Sequence, residues 1–157
     1  IASKQPRLTA SSAHGAKYLR KARVCRKAEV PAFGTAPGEM IHRSTSASAG
    51  RVRIALTPPP NSLNGRGFVH GGYLFSICDT ACAFALLSHQ DGGVTQSAHI
   101  TYISPGKEGE KLTVAAEMVA KTRRTQTYDA RVTNPAGDTV AIFRGIFQLM
   151  PPSKPAS

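Results

Sequence analysis

Residues 71–88 read Gly-Gly-Tyr-Leu-Phe-Ser-Ile-Cys-Asp-Thr-Ala-Cys-Ala-Phe-Ala-Leu-Leu-Ser and contain the longest apolar block of the chain. From residue 73 onward this stretch has no proline or glycine, and it is too long for an ordinary strand. The pattern predicts a helix that begins near Gly71 and ends before Asp91-Gly-Gly93. Because the helix is apolar on nearly every side, we expect it to be buried.

Strand-like segments flank this helix on both sides. Arg51–Leu56 alternates between polar and apolar residues and is ended by Pro58-Pro-Pro60. Four further segments follow the helix, each bounded by turn residues, at 97–103, 111–120, 126–133 and 139–149. This order predicts an α+β fold in which an antiparallel sheet wraps around a long central helix, with the last four strands in a meander.

The N-terminal third of the chain has a different composition. Residues 1–48 are basic, rich in Ala and Ser, and without a sustained helix or strand period, so we predict a poorly ordered or loosely packed segment. We predict a folded domain over 49–150 and a proline-rich tail over 151–157. We expect a cytoplasmic protein, although the N-terminal composition also fits an organelle transit peptide.

Charge and composition exclude several classes of partner. The formal net charge is +11, but residues 1–50 carry nine Lys/Arg against two Glu, so most of the excess lies outside the predicted domain. The chain has no Trp and no zinc-finger spacing, and we do not expect a nucleic-acid partner. No stretch reaches the roughly 18 apolar residues of a membrane span, and three cysteines do not make a metal site. A modestly basic body suits an anionic substrate.

Two features of the predicted helix point to chemistry. Asp79 lies in the middle of the apolar block, where a carboxylate is costly unless it is paired or useful. Gly71 and Gly72 expose backbone N–H groups at the helix start, where a developing negative oxygen is stabilised. Each feature also has a structural explanation, a bonded carboxylate in the first case and a tight loop-to-helix turn in the second.

The spacing of these two features predicts an oligomer. Gly71 and Asp79 are eight residues apart, which is roughly 12 Å along a helix axis. One substrate carbonyl cannot readily touch both on one helix, so a shared site requires two subunits. Asn64 and His70 precede the helix, and each has a chemical and a loop-bracing interpretation.

The stretch from Asn64 to Ala85 resembles the hot-dog thioesterase superfamily, and specifically its PaaI-type phenylacetyl-CoA thioesterase branch. The pattern is Asn64-Gly, then His70-Gly-Gly, then Phe75, then Asp79-Thr-Ala. Further similarity lies in Thr101-Tyr-Ile-Ser-Pro105, Tyr128-Asp129 and Val140-Ala-Ile-Phe-Arg-Gly145. The similarity covers residues 50–150 approximately and implies the hot-dog fold.

The resemblance implies an acyl-CoA thioesterase that hydrolyses an aryl- or medium-chain acyl-CoA. Asp79 corresponds to the family's nucleophile or general base, and Gly71 to the residue whose N–H polarises the thioester carbonyl. The other implied catalytic residues are Asn64 and His70, and the implied substrate-binding residues are Gly72, Phe75, Thr95, Arg123 and Arg124. No separate cofactor is implied, because coenzyme A is part of the substrate. Family members form dimers, commonly paired into tetramers, with sites at the subunit interface.

Two other functions are compatible with the sequence. The same fold can serve as a non-catalytic acyl-CoA-binding module, because fold alone does not determine function. The basic N-terminal segment can also bind nucleic acid without sequence preference, in which case binding would be salt-sensitive.

Overall fold

The computed structural model describes residues 43–90 and 92–150. Its elements are, in chain order, β1 (Arg43–Ser48), β2 (Arg51–Leu56), a 3-10 turn (Pro60–Ser62), α1 (Gly71–Leu87), β3 (Gly93–Tyr102), β4 (Leu112–Lys121), β5 (Thr125–Thr133) and β6 (Thr139–Leu149). Most of the predicted N-terminal segment and the whole C-terminal tail lie outside the described residues, so those predictions stay predictions.

The six strands form one antiparallel sheet in the order β1-β2-β4-β5-β6-β3, with α1 packed against it. This arrangement confirms the predicted α+β fold. The predicted four-strand meander is wrong in one pairing, because β3 pairs with β6 and not with β4. The segment after β3 is too long for a tight hairpin, and it carries the chain across to β4 on the other side of β5 and β6.

The sheet begins earlier than the predicted domain boundary at residue 49. Strand β1 pairs with β2 over Arg43–Ser48, within the segment predicted to be loosely packed. Its sequence, Arg-Ser-Thr-Ser-Ala-Ser, has no polar–apolar alternation. A strand of this kind is held by its backbone ladder to β2, which leaves no hydrophobic signal in the sequence.

One side of α1 is buried against the sheet. The fully buried side chains of the helix recur at helical spacing and are Tyr73, Leu74, Ile77, Cys78, Ala81, Cys82, Ala85 and Leu86. They meet inward-facing residues of the central strands, among them Val114 and Val132. The other side of α1 is only half-buried and carries Asp79, so the predicted complete burial of the helix holds on its sheet side alone.

Strand β3 is an edge strand that is largely exposed on both faces. At its two ends Val94 and Tyr102 are 54% and 51% exposed, and Ile103, which follows it, is 56% exposed. An uncovered edge presents unpaired backbone groups to another strand. In the described part of the chain, no helix is both long and apolar enough to cross a membrane. The cytoplasmic location expected from the sequence stays a prediction.

Candidate active site

The start of α1 leaves a single N–H group available to a ligand. An α-helix begins with four N–H groups that lack helical partners. Here the N–H groups of Tyr73 and Leu74 donate to the carbonyl oxygen of His70, at 3.0 and 3.1 Å, and that of Gly72 donates to Nδ1 of His70 at 2.9 Å. Among the described residues, nothing accepts from the N–H of Gly71. Of the two glycine N–H groups that the sequence suggested, only this one is free.

His70 is therefore the N-cap of α1. Its backbone is extended, at φ −62° and ψ 136°, and its Nδ1 accepts from Gly72, which requires the ring proton to be on Nε2. The imidazole itself is exposed. His70 thus braces the loop through a defined hydrogen bond. The Nε2–H edge of its ring stays available at the same end of the helix.

Asn64 folds the loop that leads into the helix. Its Oδ1 accepts from the backbone N–H of Arg66 at 2.9 Å and of Phe68 at 3.2 Å. Because two N–H donors face the same atom, the orientation of the amide is determined. Its NH₂ group has no acceptor in the described part of the chain, and it is free to donate towards the adjacent cavity.

A cavity of about 350 Å³ opens beside Gly71. Most of its lining is apolar, and the polar groups come from the loop, the helix start and the end of β3 with the residues that follow it. The lining residues are Asn64, Phe68, Val69, Gly71, Leu74, Tyr102, Ile103, Ser104, Pro105 and Gly106. An apolar cavity with one free N–H and one free amide group at its edge fits the carbonyl end of an acyl chain.

Asp79 lies two turns further along α1, against strand β3. The hydroxyl of Thr95 donates to Oδ1 of Asp79 at 2.7 Å. A β-bulge follows at once, since the pairing of β3 with β6 shifts register between Thr95 and Ser97. Bulges of this kind redirect a side chain, and here Thr95 is directed at the carboxylate. No described residue donates to Oδ2 of Asp79, which leaves that oxygen available for a reaction.

Asp79 does not line the cavity at Gly71. The two groups lie on one helix and are separated by roughly 12 Å along its axis. The chain therefore carries two half-sites, one with a free N–H and an apolar cavity, the other with a carboxylate oriented by a hydroxyl. A reaction that uses both on one carbonyl needs a second copy of the chain.

The remaining predicted residues lie in different surroundings. Gly72 is exposed at the helix start. The ring of Phe75 packs edge-to-face against Phe143, with centroids 5.3 Å apart, and does not line the cavity at Gly71. Arg123 and Arg124 are exposed in the β4–β5 turn, where the carbonyl of Arg124 accepts from the N–H of Leu149.

Tyr102 also lies in this region, and the sequence did not predict a role for it. Its hydroxyl donates to the carbonyl oxygen of Gly71 at 2.9 Å, and its ring lines the cavity. The motif Thr101-Tyr-Ile-Ser-Pro105 drew attention to the segment, but the contact joins residues 31 positions apart. No local pattern in a sequence reports such a contact.

No alternative centre of chemistry is present in the described ranges, 43–90 and 92–150. They contain no group of three metal-ligating side chains. Burial raises the pKa of Cys78 to about 12 and also raises that of Cys82, so both thiols are inert at neutral pH. A larger cavity of about 770 Å³ lies against the sheet and contains none of the predicted site residues. Its carboxylates are paired, Asp129 with Arg144 at 2.6 Å and Glu117 with Arg51 at 3.4 Å.

Comparisons with known proteins identify the family of this chain. The model of the thioesterase superfamily matches residues 66–141. The acyl-coenzyme A thioesterase PaaI of Escherichia coli K12 is 36% identical over 100 residues, which are 64% of this chain and 71% of that protein. The structure of E. coli PaaI, from the phenylacetic acid degradation operon, gives a TM-score of 0.75 at 30% identity and covers 88% of this chain and 96% of that one.

A third match is a Streptococcus mutans UA159 protein whose structure contains bound acetyl CoA. It gives a TM-score of 0.70 at 29% identity and covers 77% of this chain and 97% of that one. The fold, the two half-sites and these matches together define a thioester hydrolase with the hot-dog fold. Within that class, the chain belongs to the PaaI type of the thioesterase superfamily.

Proposed function

We propose that this protein hydrolyses an aryl- or medium-chain acyl-CoA to the free acid and coenzyme A. The site would join the Gly71 half-site of one subunit to Asp79 of the partner subunit. One observation carries the proposal. The free N–H at the start of α1 and the carboxylate that a hydroxyl orients lie on the same helix, but apart from each other. Neither half-site alone contains both an oxyanion donor and a group that can attack or deprotonate water.

The exposed edge of the sheet supports the second subunit in this proposal. Strand β3 carries Thr95 near its first residue and ends at Tyr102, so its two ends lie at different half-sites. If β3 pairs with its own copy antiparallel about a twofold axis, the Thr95 end of one strand lies beside the Tyr102 end of the other. That pairing would bring each Asp79 towards the cavity of the partner. Further pairing of such dimers into a tetramer is part of the same proposal.

The proposed reaction begins with polarisation of the thioester carbonyl by the N–H of Gly71. Asp79 then either attacks the carbonyl carbon or removes a proton from the attacking water; both routes use its free Oδ2. The C–S bond breaks, and coenzyme A leaves as a thiolate that takes up a proton. In the first route the acyl group is then joined to Asp79 as an anhydride, which water hydrolyses to the free acid and the regenerated carboxylate. The Thr95 hydroxyl holds Oδ1, so the carboxylate presents its other oxygen in a constant direction.

The surroundings of the site suggest where each end of the substrate binds. The apolar cavity beside Gly71 suits the acyl group, and the free NH₂ of Asn64 suits its carbonyl region. Arg124 lies next to Leu149, which pairs with Gly93 at the first residue of β3. In the antiparallel dimer that end lies beside the partner's cavity, so Arg123 and Arg124 are suited to the phosphates of coenzyme A.

The acyl group is proposed from the relatives. E. coli PaaI is named an acyl-coenzyme A thioesterase, and it comes from the phenylacetic acid degradation operon. The cavity is of a size that admits a phenyl ring or a short straight chain. Phenylacetyl-CoA is therefore the first substrate to test, followed by hydroxyphenylacetyl-, benzoyl- and straight-chain acyl-CoAs.

The proposal is tested by measuring coenzyme A release with a thiol reagent, for wild type beside Asp79→Asn. Loss of a nucleophile or general base should lower kcat by about 10²–10⁴-fold, with the oligomer intact. Glu117→Gln is the matched control, since it removes a surface carboxylate from the far side of the sheet and should leave kcat unchanged.

Each other outcome has a defined meaning. An Asp79→Asn protein that keeps most of its turnover contradicts the proposed chemistry. A fully active monomer contradicts the shared site. A folded oligomer that binds acyl-CoA without hydrolysing any of the substrates would instead be a non-catalytic binding module.

A further inference from the structure

We infer that Tyr102 is a positioning residue, which holds the first peptide groups of α1 so that the N–H of Gly71 keeps its direction into the cavity. The inference rests on the proposed function of that N–H as the oxyanion donor. It assigns to Tyr102 an effect on the rate of the reaction through Gly71, without contact to the reacting atoms.

The peptide group between Gly71 and Gly72 is held at both of its polar atoms. Its carbonyl oxygen accepts from the hydroxyl of Tyr102 at 2.9 Å, and its N–H donates to Nδ1 of His70 at 2.9 Å. Rotation of this peptide plane would break both hydrogen bonds at once. One of the two contacts comes from the N-cap and the other from the edge strand β3.

The preceding peptide group carries the N–H of Gly71 itself. Its carbonyl, that of His70, is held inside the helix by the N–H groups of Tyr73 and Leu74. In a trans peptide the N–H points opposite to the carbonyl, so the N–H of Gly71 is directed away from the helix. The φ and ψ of Gly71 join these two peptide groups, and fixing both groups fixes the direction of the N–H.

Two consecutive glycines make such fixing necessary. Glycine has more backbone freedom than any other residue, and Gly71-Gly72 would otherwise let the first turn of the helix fray. The ring of Tyr102 also occupies the space beside Gly71, since a β-carbon at residue 71 would lie 2.9 Å from its Cζ and Oη atoms. A larger residue at position 71 would therefore displace Tyr102.

The hydroxyl of Tyr102 is a donor over the whole working pH range. Partial burial raises its pKa above the usual value, and the nearby Cys78 raises it further. The phenol oxygen therefore keeps its proton, and goes on donating the hydrogen bond to the Gly71 carbonyl, under conditions in which a thioester can be assayed. Strand β3 thus serves both half-sites, Thr95 orienting Asp79 and Tyr102 orienting Gly71.

Tyr102→Phe tests the inference, because it keeps the ring and removes only the hydroxyl. Loss of one neutral hydrogen bond should lower kcat by about threefold to tenfold, with KM within about twofold of wild type. Tyr128→Phe is the matched control. It removes a buried hydroxyl that donates to Gln126 at 2.5 Å, far from the cavity, and should leave kcat within about twofold.

Hydrogen–deuterium exchange supplies a readout that does not depend on activity. In Tyr102→Phe, the peptide that contains Gly71 and Gly72 should exchange faster than in wild type, while residues 80–87 at the other end of α1 should not change. Residues 80–87 serve as the internal reference, because the hydroxyl of Tyr102 donates its hydrogen bond to the first residue of the helix.

The two readouts separate this inference from the proposed function. A lower kcat with faster exchange at the helix start supports it. Unchanged kcat and exchange, or a raised KM with unchanged kcat, overturns it. If wild type hydrolyses no thioester, the proposed function fails, and exchange alone then decides whether Tyr102 holds the peptide.

Discussion

The two ends of helix α1 differ in whether their polar groups are buried and hydrogen-bonded. At the start, His70 and Gly72 are exposed, and Gly71, whose N–H has no acceptor among the described residues, lines a cavity. At the other end, Ser88 is fully buried. Its hydroxyl accepts from the N–H of Gly50 at 2.9 Å and lies 2.8 Å from the carbonyl of Ser48 and 2.7 Å from that of Ala85.

We call the start of α1 the open end and the region around Ser88 the closed end. A second network of buried polar groups stabilises the closed end. His89 contacts the carbonyl of Ala85 through Nδ1 and Oε1 of Gln126 through Nε2, both at 3.1 Å. Gln126 is fully buried and also accepts from Tyr128. The closed end uses its polar groups to join α1 to the β1–β2 turn and to β5, whereas the open end leaves them for a substrate. Substitutions at the two ends should therefore change different measurements.

Gly71→Ala should have the largest effect on activity among substitutions at either end. The added β-carbon would meet the ring of Tyr102 at 2.9 Å and displace it, and the Gly71 carbonyl would lose its hydrogen bond to Tyr102. The backbone N–H is kept but no longer held in direction, so kcat should fall by about tenfold, short of the roughly 10²–10³-fold that loss of an oxyanion donor costs, and coenzyme A release measures it. Stability should change little, because Ala has a higher helix propensity than Gly.

Gly65→Ala is the control for that substitution. Gly65 lies in the loop before the helix, and a β-carbon there would meet nothing within 4 Å. Its kcat should stay within about twofold of wild type, as for surface changes that disturb no contact. If Gly71→Ala were as active as Gly65→Ala, the open end would not be the oxyanion site.

Ser88→Ala should change stability and leave kcat per folded site unaltered. The substitution leaves the N–H of Gly50 buried without an acceptor, at a cost of about 1–3 kcal/mol in the free energy of unfolding. Urea denaturation measures this loss, and exposed Ser46→Ala should show almost none. A fall in kcat without a fall in stability would mean that the closed end takes part in the reaction.

The smallest effect is expected in the thiol labelling of the two cysteines, Cys78 and Cys82, that lie between these ends. Burial raises the pKa of Cys78 from 9.0 to about 12, so at pH 8 the folded protein holds about a thousandfold less thiolate at this position than a free cysteine. In a Cys25→Ser background, labelling of Cys78 and Cys82 should therefore require denaturant. Labelling of the folded protein within minutes would show that the sheet side of α1 opens readily.

The helix and the last strand could be predicted from the sequence because their patterns are local. The apolar run after Gly71 predicted α1, and the bounds predicted for β6, Thr139–Leu149, are the observed ones. Strand β3 began earlier than predicted, because Gly93 was interpreted as a turn residue. In the fold it pairs with Leu149, and a β-carbon there would lie 2.8 Å from the carbonyl oxygen of Gln148. Gly93 therefore allows the two strands to pack closely and does not interrupt the strand.

The site could be predicted only in part, for a similar reason. Asp79 and Gly71 stand out in the sequence, the one as a charge in an apolar block and the other as a glycine at a helix start. The bonds that orient them come from Thr95 and Tyr102 on β3, at 16 and 31 positions' distance. Such contacts depend on which edge of the sheet β3 occupies, and the sequence pattern predicted the wrong neighbour for it.

The placement of Gly71 and Asp79 on one helix has a genetic consequence in the proposed dimer. Every site would draw one residue from each chain, so a subunit inactivated at Gly71 and another inactivated at Asp79 would each lack what the other supplies. A hybrid of the two would contain one intact site and one doubly defective site. Two null alleles of this gene could then complement each other, restoring about a quarter of normal activity when subunits mix at random.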